Sequence, residues 1–568
     1  MKLGIVAELD KPIIVDSRNT CLLGSQYASD SVLNIRNDSK IKIREKSKEF
    51  DKTTRNWTKS KQRLSHVKTT HGGSNRFVRR PGEGRTSGTA YDTAWTARIM
   101  DETCNPVFPE CLKWVLVHQK SDGSWGSDTL NYHDRIISTL SAVMALREID
   151  GEKYEKYIHR GEEFIWENLE NLKKDNHRLI GSELLLHSLM QQAESMELNV
   201  PHQRKVYQKE YAMKLGKIDE SLWYSPLTTL SFSLEFLGDE VDIHRLPHVQ
   251  LPNGSVANSP ATTAFFLKHK KDARALAYLR EILELSKDGS VMALYPIDIF
   301  EYGWIMYNLI LAHLYFERYH EVSDFLLSNL KNSSVGCSTD SPLTDADDTA
   351  VVCKVLEDMN YSIDYQIFDE YYTGEYYQTF NFELDPSVST NIHMLDLVRS
   401  CPEFPDRDEI IEHLLKFLKK NIFNGFWRDK WHISPYYPTS HAIFALCDID
   451  LSLSEKAVSW IQKSQNQNGM WGENDGTLEE TSYAIQALMY YNQHESIDLE
   501  GVSKALLTID SAVPTNVLDD LWIGKVLYCP TNVVLSSLMS ASFMYKTTEW
   551  DISSMWGHMS CEVECHVV

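Results

Sequence analysis

The sequence predicts an all-α protein built from two α/α-barrel domains. Three observations lead to this fold class: apolar residues follow a helical period from Tyr91 onward, strand-like alternation is scarce, and one turn-and-helix unit recurs. The helical period is clear where Ile136, Leu140, Val143 and Met144 fall on one face of a 3.6-residue turn. Glycine and proline separate successive helical segments, as turns between packed helices require.

The recurring unit consists of a glutamine, an Asn-Gly or Asp-Gly turn, usually a tryptophan, and an apolar helix. Its copies begin with Gln119-Lys-Ser-Asp-Gly-Ser-Trp-Gly, Gln250-Leu-Pro-Asn-Gly-Ser and Gln465-Asn-Gln-Asn-Gly-Met-Trp-Gly. Glycine permits the tight turn, and the glutamine and tryptophan side chains can tie one helix end to its neighbour. Such repeats alone would also fit a helical scaffold protein. Their irregular spacing favours two closed barrels over an open solenoid.

Charge is distributed unevenly along the 568 residues. Positions 1–85 hold 19 Lys and Arg against 9 Asp and Glu, whereas the whole chain has a net charge of −23. We therefore expect a basic, partly disordered N-terminal extension over 1–85 and an acidic body that repels nucleic acid. No apolar run is long enough to span a membrane, and the ten cysteines include no Cys-x-x-Cys pair. These features favour a reduced, cytoplasmic protein.

Five motifs follow one another along the body of the chain. In order, they are Ala90-Tyr-Asp-Thr-Ala-Trp, Leu294-Tyr-Pro-Ile-Asp-Ile-Phe-Glu, Asp345-Ala-Asp-Asp-Thr-Ala, Asp429-Lys-Trp-His-Ile-Ser-Pro-Tyr-Tyr-Pro-Thr-Ser-His and Leu521-Trp-Ile-Gly-Lys-Val-Leu-Tyr. Together with the repeats, this series resembles the class II diterpene cyclases, in particular copalyl diphosphate synthase-like enzymes of fungal or bacterial type. The resemblance covers roughly residues 86–545.

The resemblance implies the domain organisation of that family, the βγ terpene cyclase architecture. A γ-type α-barrel would occupy 86–300, and a β-type α-barrel with the Asp-x-Asp-Asp motif would occupy 301–545. A tail would follow over 546–568. The active site of the family lies between the two barrels.

The implied reaction is the bicyclisation of geranylgeranyl diphosphate to a copalyl-type (labdane) diphosphate, which makes the protein an isomerase. The reaction starts by protonating an alkene, a very weak base, so the donor must be an acid kept protonated in a dry cavity. Carboxyls packed together cannot all ionise, which keeps one of them protonated. The resemblance assigns the general acid to Asp347, its orientation to Asp345 and Asp348, and its hydrogen-bond partner to His393. A lone histidine near apolar residues is as often part of the core.

The resemblance also assigns substrate-binding roles. Trp304 would offer its π-face to the carbocation, which a nucleophile would trap. Lys214 and Lys430 would hold the diphosphate, and Glu183 would bind the Mg²⁺ that accompanies it. Most aromatic, lysine and glutamate side chains simply pack or face solvent, so each position is a hypothesis of its own.

The sequence departs from the plant ent-type enzymes where the reaction ends. Those enzymes hold the terminating water with a His and an Asn, and these positions align here with Phe232 and Ala293. Neither side chain can hold a water. Another base, such as Tyr295 or a backbone-held water, would then give copalyl diphosphate. Alternatively, the cation would rearrange to a clerodane-type product or be hydroxylated.

Two metal-binding motifs of class I synthases are missing from the sequence, namely Asp-Asp-x-x-Asp and Asn/Asp-x-x-Ser/Thr-x-x-x-Glu. The diphosphate should therefore survive in the product, and a separate class I synthase could act on it. Two rival hypotheses remain. A squalene-type triterpene cyclase shares the acid motif but would leave Lys214 and Lys430 without a phosphate to bind, and a helical scaffold would have no use for buried carboxyls.

Overall fold

The computed structural model describes residues 84–314, 319–330, 333–381, 383, 385–512 and 518–549. The predicted extension over 1–85 and tail over 546–568 lie almost wholly outside these ranges. The α-helices are α1 (Ala90–Ala97), α2 (Pro109–Val117), α3 (Tyr132–Asp150), α4 (Glu155–Asn168), α5 (Ser182–Ser195), α6 (Gln208–Leu215), α7 (Pro260–His269), α8 (Ala273–Ser286), α9 (Asp298–Leu311), α10 (Tyr319–Leu330), α11 (Ala346–Asp358), α12 (Val388–Ser400), α13 (Arg407–Asn421), α14 (Tyr436–Leu446), α15 (Leu451–Lys463), α16 (Leu478–Asn492), α17 (Glu500–Ala512) and α18 (Thr531–Glu549).

The helices of the C-terminal half form a closed double ring, which we call the second barrel. Its inner ring runs through α9, α11, α12, α14, α16 and α18, and α18 packs back against α9. Outer helices α10, α13, α15 and α17 pack against the outside of this ring. The inner helices have neighbours on all sides, which explains why they are buried all round; every residue of α14 is buried, including the polar Thr439, Ser440 and His441.

The N-terminal half forms a similar ring, the first barrel. Its inner ring consists of α1, α3, α5, a 3₁₀ segment (Thr229–Glu240) and α7, which closes against α1. Helices α2, α4, α6 and α8 lie outside it. Each barrel has its own large apolar core. The predicted class of two α/α-barrels is confirmed.

The repeated turns tie the helix ends together, as the sequence predicts. Gln119 donates to the carbonyls of Gly123 and of Tyr157 in α4, both at 2.9 Å, and Trp125 donates its indole N–H to the Val115 carbonyl at 2.7 Å. Gly123 has a φ of +90°, and a Cβ there would lie 2.4 Å from the Arg160 carbonyl oxygen. Only glycine fits this turn.

A threonine near the start of several inner helices accepts a hydrogen bond from the preceding turn. Such bonds, of 2.9 or 3.0 Å, join the backbone N–H groups of Trp125, Val256, Val335, Trp427 and Trp471 to Thr139, Thr263, Thr349, Thr439 and Thr481, respectively. Thr349 belongs to the Asp-x-Asp-Asp-Thr-Ala motif. The acid motif is therefore held by the same latch as the repeats.

A small hairpin joins the two barrels. Its strands, β3 (Trp522–Ile523) and β4 (Leu527–Tyr528), are antiparallel. A separate antiparallel pair consists of β1 (Gly88–Thr89) and β2 (Val291–Met292). At the hairpin turn, the Gly524 carbonyl accepts from Ile180 N–H at 3.0 Å, and Leu527 N–H donates to Asp134 at 3.0 Å. Within the described residues, no helix combines the length and apolarity that a membrane crossing needs.

Candidate active site

The acid motif forms the start of α11 on the inner ring of the second barrel. Asp345 is the N-cap residue, and its Oδ1 accepts from the backbone N–H of Asp348 at 2.7 Å. The N–H of Ala346 donates to the Thr379 carbonyl at 2.9 Å, and Thr349 provides the latch described above. An aspartate cap satisfies a helix N–H that would otherwise lack a partner, so the motif builds its own helix end.

Two of the three carboxyls form a buried pair. Burial raises the pKa of Asp345 to about 7, and burial together with Asp345 and Asp347 raises the pKa of Asp348 well above its usual range. The Asp345 and Asp348 side chains also hydrogen-bond to each other. Asp347, between them in sequence, is less buried than either, with 13 % of its side chain exposed. Of the three carboxyls, Asp347 is therefore the most accessible to a substrate.

The structure brings His393 to Asp347, as the resemblance implies. Nδ1 of His393, on α12, lies 2.6 Å from Oδ1 of Asp347, and only 1 % of its side chain is exposed. The other ring nitrogen lies 2.7 Å from Nδ1 of His441, on α14. His441 was not predicted as a site residue, although it closes the motif that ends Pro-Thr-Ser-His.

Aromatic side chains line the same region. Trp304, on α9, packs edge-to-face against His393 with 5.4 Å between ring centroids, and its indole N–H donates to the Tyr437 hydroxyl at 3.1 Å. Phe300 stacks on Trp304 at 4.8 Å and contacts Trp522 at 5.3 Å. The predicted Trp304 thus lies beside the acid, whereas Tyr437 and Trp522 were not predicted.

The predicted diphosphate ligands lie on both barrels. Lys214, at the end of α6, forms an ion pair with Glu183 of α5 at 2.9 Å, and Arg178 lies 3.6 Å from the same carboxylate. Although burial opposes it, Lys214 holds the pKa of Glu183 below its usual range. Lys430 contacts Glu383 and donates to the Asp385 carbonyl at 2.7 Å. Burial lowers the pKa of Lys430; Asp347 opposes this shift and Lys214 adds to it, so the three groups interact electrostatically.

The residues aligned with the terminating pair surround an unpredicted lysine. The Phe232 carbonyl accepts from Nζ of Lys525 at 3.0 Å, and Nζ lies 4.8 Å from the centre of the Phe232 ring. Ala293 packs in the core of the second barrel. The Tyr295 hydroxyl donates to Glu281 of outer helix α8 at 3.1 Å. This bond directs Tyr295 toward the outer ring and argues against it as the terminating base.

No group of three or more His, Cys, Asp and Glu side chains that could hold a metal ion occurs in the described part of the chain. The acid site combines a carboxyl with a histidine partner, beside aromatic faces and with lysines nearby, and such an arrangement is suited to proton transfer. This arrangement on two α-barrels defines the class II terpene cyclases.

Comparisons with known proteins specify the class further. The type B diterpene cyclase of Mycobacterium tuberculosis is 32 % identical over 489 residues, which are 80 % of this chain and 95 % of that protein. The chain therefore belongs to the class II diterpene cyclase family, and the protein is an enzyme of that family, an isomerase. A family model described as the squalene-hopene cyclase C-terminal domain matches residues 364–494, within the second barrel.

Other curated relatives match part of the chain, and solved structures share its fold. Copal-8-ol diphosphate hydratase of Nicotiana tabacum is 30 % identical over 375 residues, 63 % of this chain but only 46 % of the plant protein. Among solved structures, the ent-copalyl diphosphate synthase of Streptomyces platensis shares the fold with a TM-score of 0.69 and 24 % identity, over 82 % of this chain and 96 % of that one. The Arabidopsis thaliana ent-copalyl diphosphate synthase has a TM-score of 0.62 and 25 % identity, over 84 % of this chain and 64 % of that one.

Proposed function

We propose that the protein converts geranylgeranyl diphosphate to a bicyclic, copalyl-type diphosphate and leaves the diphosphate intact. Asp347 gives its carboxylic proton to the terminal alkene, the carbocation closes two rings beside Trp304, and a base removes a proton from the final cation. The position of Asp347 carries this proposal: it is the accessible carboxyl of the cluster and contacts His393 at 2.6 Å.

Asp347→Asn tests the acid directly. The amide keeps the size of the side chain but has no acidic proton, so product formation should fall to background while the thermal melting temperature stays near that of the wild type. Asp358→Asn, at the far end of the same helix, removes the ion pair with the largely buried Lys354 and should retain activity, because it leaves the acid motif unchanged. Substantial activity in Asp347→Asn would show that another group is the donor.

The diphosphate would be bound by Lys214 and Lys430 from opposite barrels, with Mg²⁺ offsetting its charge. Mg²⁺ keeps several waters and needs only one or two protein carboxylates when substrate phosphates supply the other ligands. Glu183 fits this role because it is a largely buried carboxylate beside Lys214. Glu183→Gln should raise the Mg²⁺ concentration needed for half-maximal activity, whereas Glu194→Gln, in the same helix, should not.

Relatives of similar identity differ in the product that their names give. They include copalyl diphosphate synthases, a copal-8-ol diphosphate hydratase and (−)-kolavenyl diphosphate synthases. We favour simple deprotonation to copalyl diphosphate, because loss of one water-holding pair leaves other bases possible. Because the product retains its diphosphate, a separate class I synthase is the enzyme expected to act on it next. We also propose a cytoplasmic location, which agrees with the scattered cysteines.

A further inference from the structure

Three helices of the inner ring contribute one side chain each to a buried hydrogen-bonded row. The row runs from Asp347 on α11 through His393 on α12 to His441 on α14, and these helices are neighbours around the ring. The two contacts measure 2.6 Å and 2.7 Å. Both histidines are nearly inaccessible to solvent, with 2 % and 1 % exposure. His441 therefore lies directly behind the partner of the acid.

His441 carries one ring proton, and its surroundings decide which nitrogen holds it. Burial, with His393 and His432 nearby, lowers the pKa of His441 well below its usual range, so the ring is neutral. Nε2 of His441 is buried and has no hydrogen-bond partner among the described residues. Tyr307 stacks on the ring, with 5.4 Å between ring centroids. A buried N–H without an acceptor is rare and costly. The proton is satisfied on Nδ1, where it faces Nε2 of His393.

This arrangement fixes the tautomer of His393. Since its Nε2 accepts from His441, the single proton of a neutral His393 ring is on Nδ1 and is donated to Oδ1 of Asp347. The opposite tautomer would place a bare nitrogen 2.6 Å from that oxygen, which is repulsive unless Oδ1 itself carries the proton. A hydrogen bond donated to the carboxylate stabilises the form that remains after proton transfer, and so makes the proton on Oδ2 easier to lose.

We propose that His441 is a positioning residue, which donates to His393 and thereby holds it in the tautomer that hydrogen-bonds the general acid. The inference rests on the proposed function, in which Asp347 is that acid. The hydrogen bonds of His441 reach the acid through His393, so the loss of its donor should affect the rate of proton transfer and leave substrate binding unchanged.

Kinetics of three variants test the proposal. His441→Phe keeps an aromatic ring but removes the donor, and kcat should fall at least 10-fold with KM unchanged within about three-fold, since groups that fix a catalytic histidine contribute up to about 10⁴ in kcat. His441→Asn, whose amide can donate close to the position of Nδ1, should recover most of the loss. Leu446→Ala removes buried apolar contacts at the end of the same helix and should lower the melting temperature without changing kcat. A wild-type kcat in His441→Phe, or equal losses in the Phe and Asn variants, would overturn the proposal.

A spectroscopic measurement separates this proposal from the choice of substrate. In protein labelled with ¹⁵N in the histidine rings and without substrate, the signals of His393 can be assigned by their loss in His393→Ala. We expect a protonated Nδ1 and a bare Nε2 in the wild type and in His441→Asn, and a changed pattern in His441→Phe. A proton on Nε2 in the wild type would contradict the inference. If geranylgeranyl diphosphate is not turned over, the proposed function fails but this result still stands.

Discussion

Lys525 and Glu235 are 290 positions apart in the chain, yet their side chains form an ion pair of 2.6 Å that is 1 % and 0 % exposed. Nζ of Lys525 also donates to the Phe232 carbonyl and, at 2.6 Å, to the Ser259 hydroxyl, so all three ammonium protons have acceptors. The lysine reaches from the β3–β4 hairpin into the first barrel. One buried charge thus joins the two halves of the enzyme.

Removing this lysine should destabilise the protein strongly. Lys525→Met leaves the Glu235 carboxylate buried without its cation, which typically costs about 3–5 kcal/mol of unfolding free energy, whereas replacing both partners by apolar residues costs far less. Lys525→Met with Glu235→Leu should therefore recover much of the loss in urea unfolding. Lys173→Met breaks an exposed pair with Glu170 and should cost at most about 1 kcal/mol. An equal loss of unfolding free energy in Lys525→Met and Lys173→Met would show that the buried ion pair stabilises the fold no more than the exposed one.

Lys214→Gln should weaken substrate binding. A hydrogen bond to a charged group contributes about 1.5–3 kcal/mol, so KM for geranylgeranyl diphosphate should rise about 10-fold or more. Lys217→Gln, three positions on and exposed, is the matched control and should leave KM unchanged. An unchanged KM in Lys214→Gln would remove this residue from the diphosphate site.

The pKa of Asp345 predicts how stability depends on pH. Its pKa is raised to about 7 in the fold, against about 3.9 in an unfolded chain, so its contribution to stability is complete below about pH 4 and is lost as the pH rises through about 7. Asp345→Asn keeps a good N-cap without the titration. The melting temperature of the variant relative to the wild type should therefore increase from pH 5 to pH 8. A constant difference over this range would contradict the assignment.

The residues at positions 232 and 293 test where the reaction ends. Phe232→His with Ala293→Asn introduces two side chains that can hold a water by hydrogen bonds. If these positions face the last cation, the product ratio should change or a hydroxylated product should appear in mass spectrometry. An unchanged product from a folded, fully active double variant would mean that the alignment from Lys214 to these positions is wrong.

The sequence was sufficient for the class of fold and for the location of the acid motif at a helix start, because both depend on local patterns; the role of Asp347 as the donor stays a prediction. The helical period and the recurring glutamine-containing turns indicate the barrels. Asp345, Asp347 and Asp348 form one helix end. The threonine latch itself was not predicted, and the two turns with this latch at Val335 and Trp427 were not recognised as copies of the repeat because they lack the glutamine. His441 and Lys525 were missed for a different reason: their roles depend on partners 48 and 290 positions away, which only the closure of the barrels brings into contact.

The most direct test of the account is cyclisation of geranylgeranyl diphosphate in D₂O. Asp347 exchanges its proton with solvent, so the product should be a bicyclic diphosphate with a single deuterium on the carbon that receives the proton, and no inorganic diphosphate should be released. A cyclic product without solvent deuterium, formed together with inorganic diphosphate, would contradict protonation by Asp347 and would mean that the reaction starts by ionising the diphosphate.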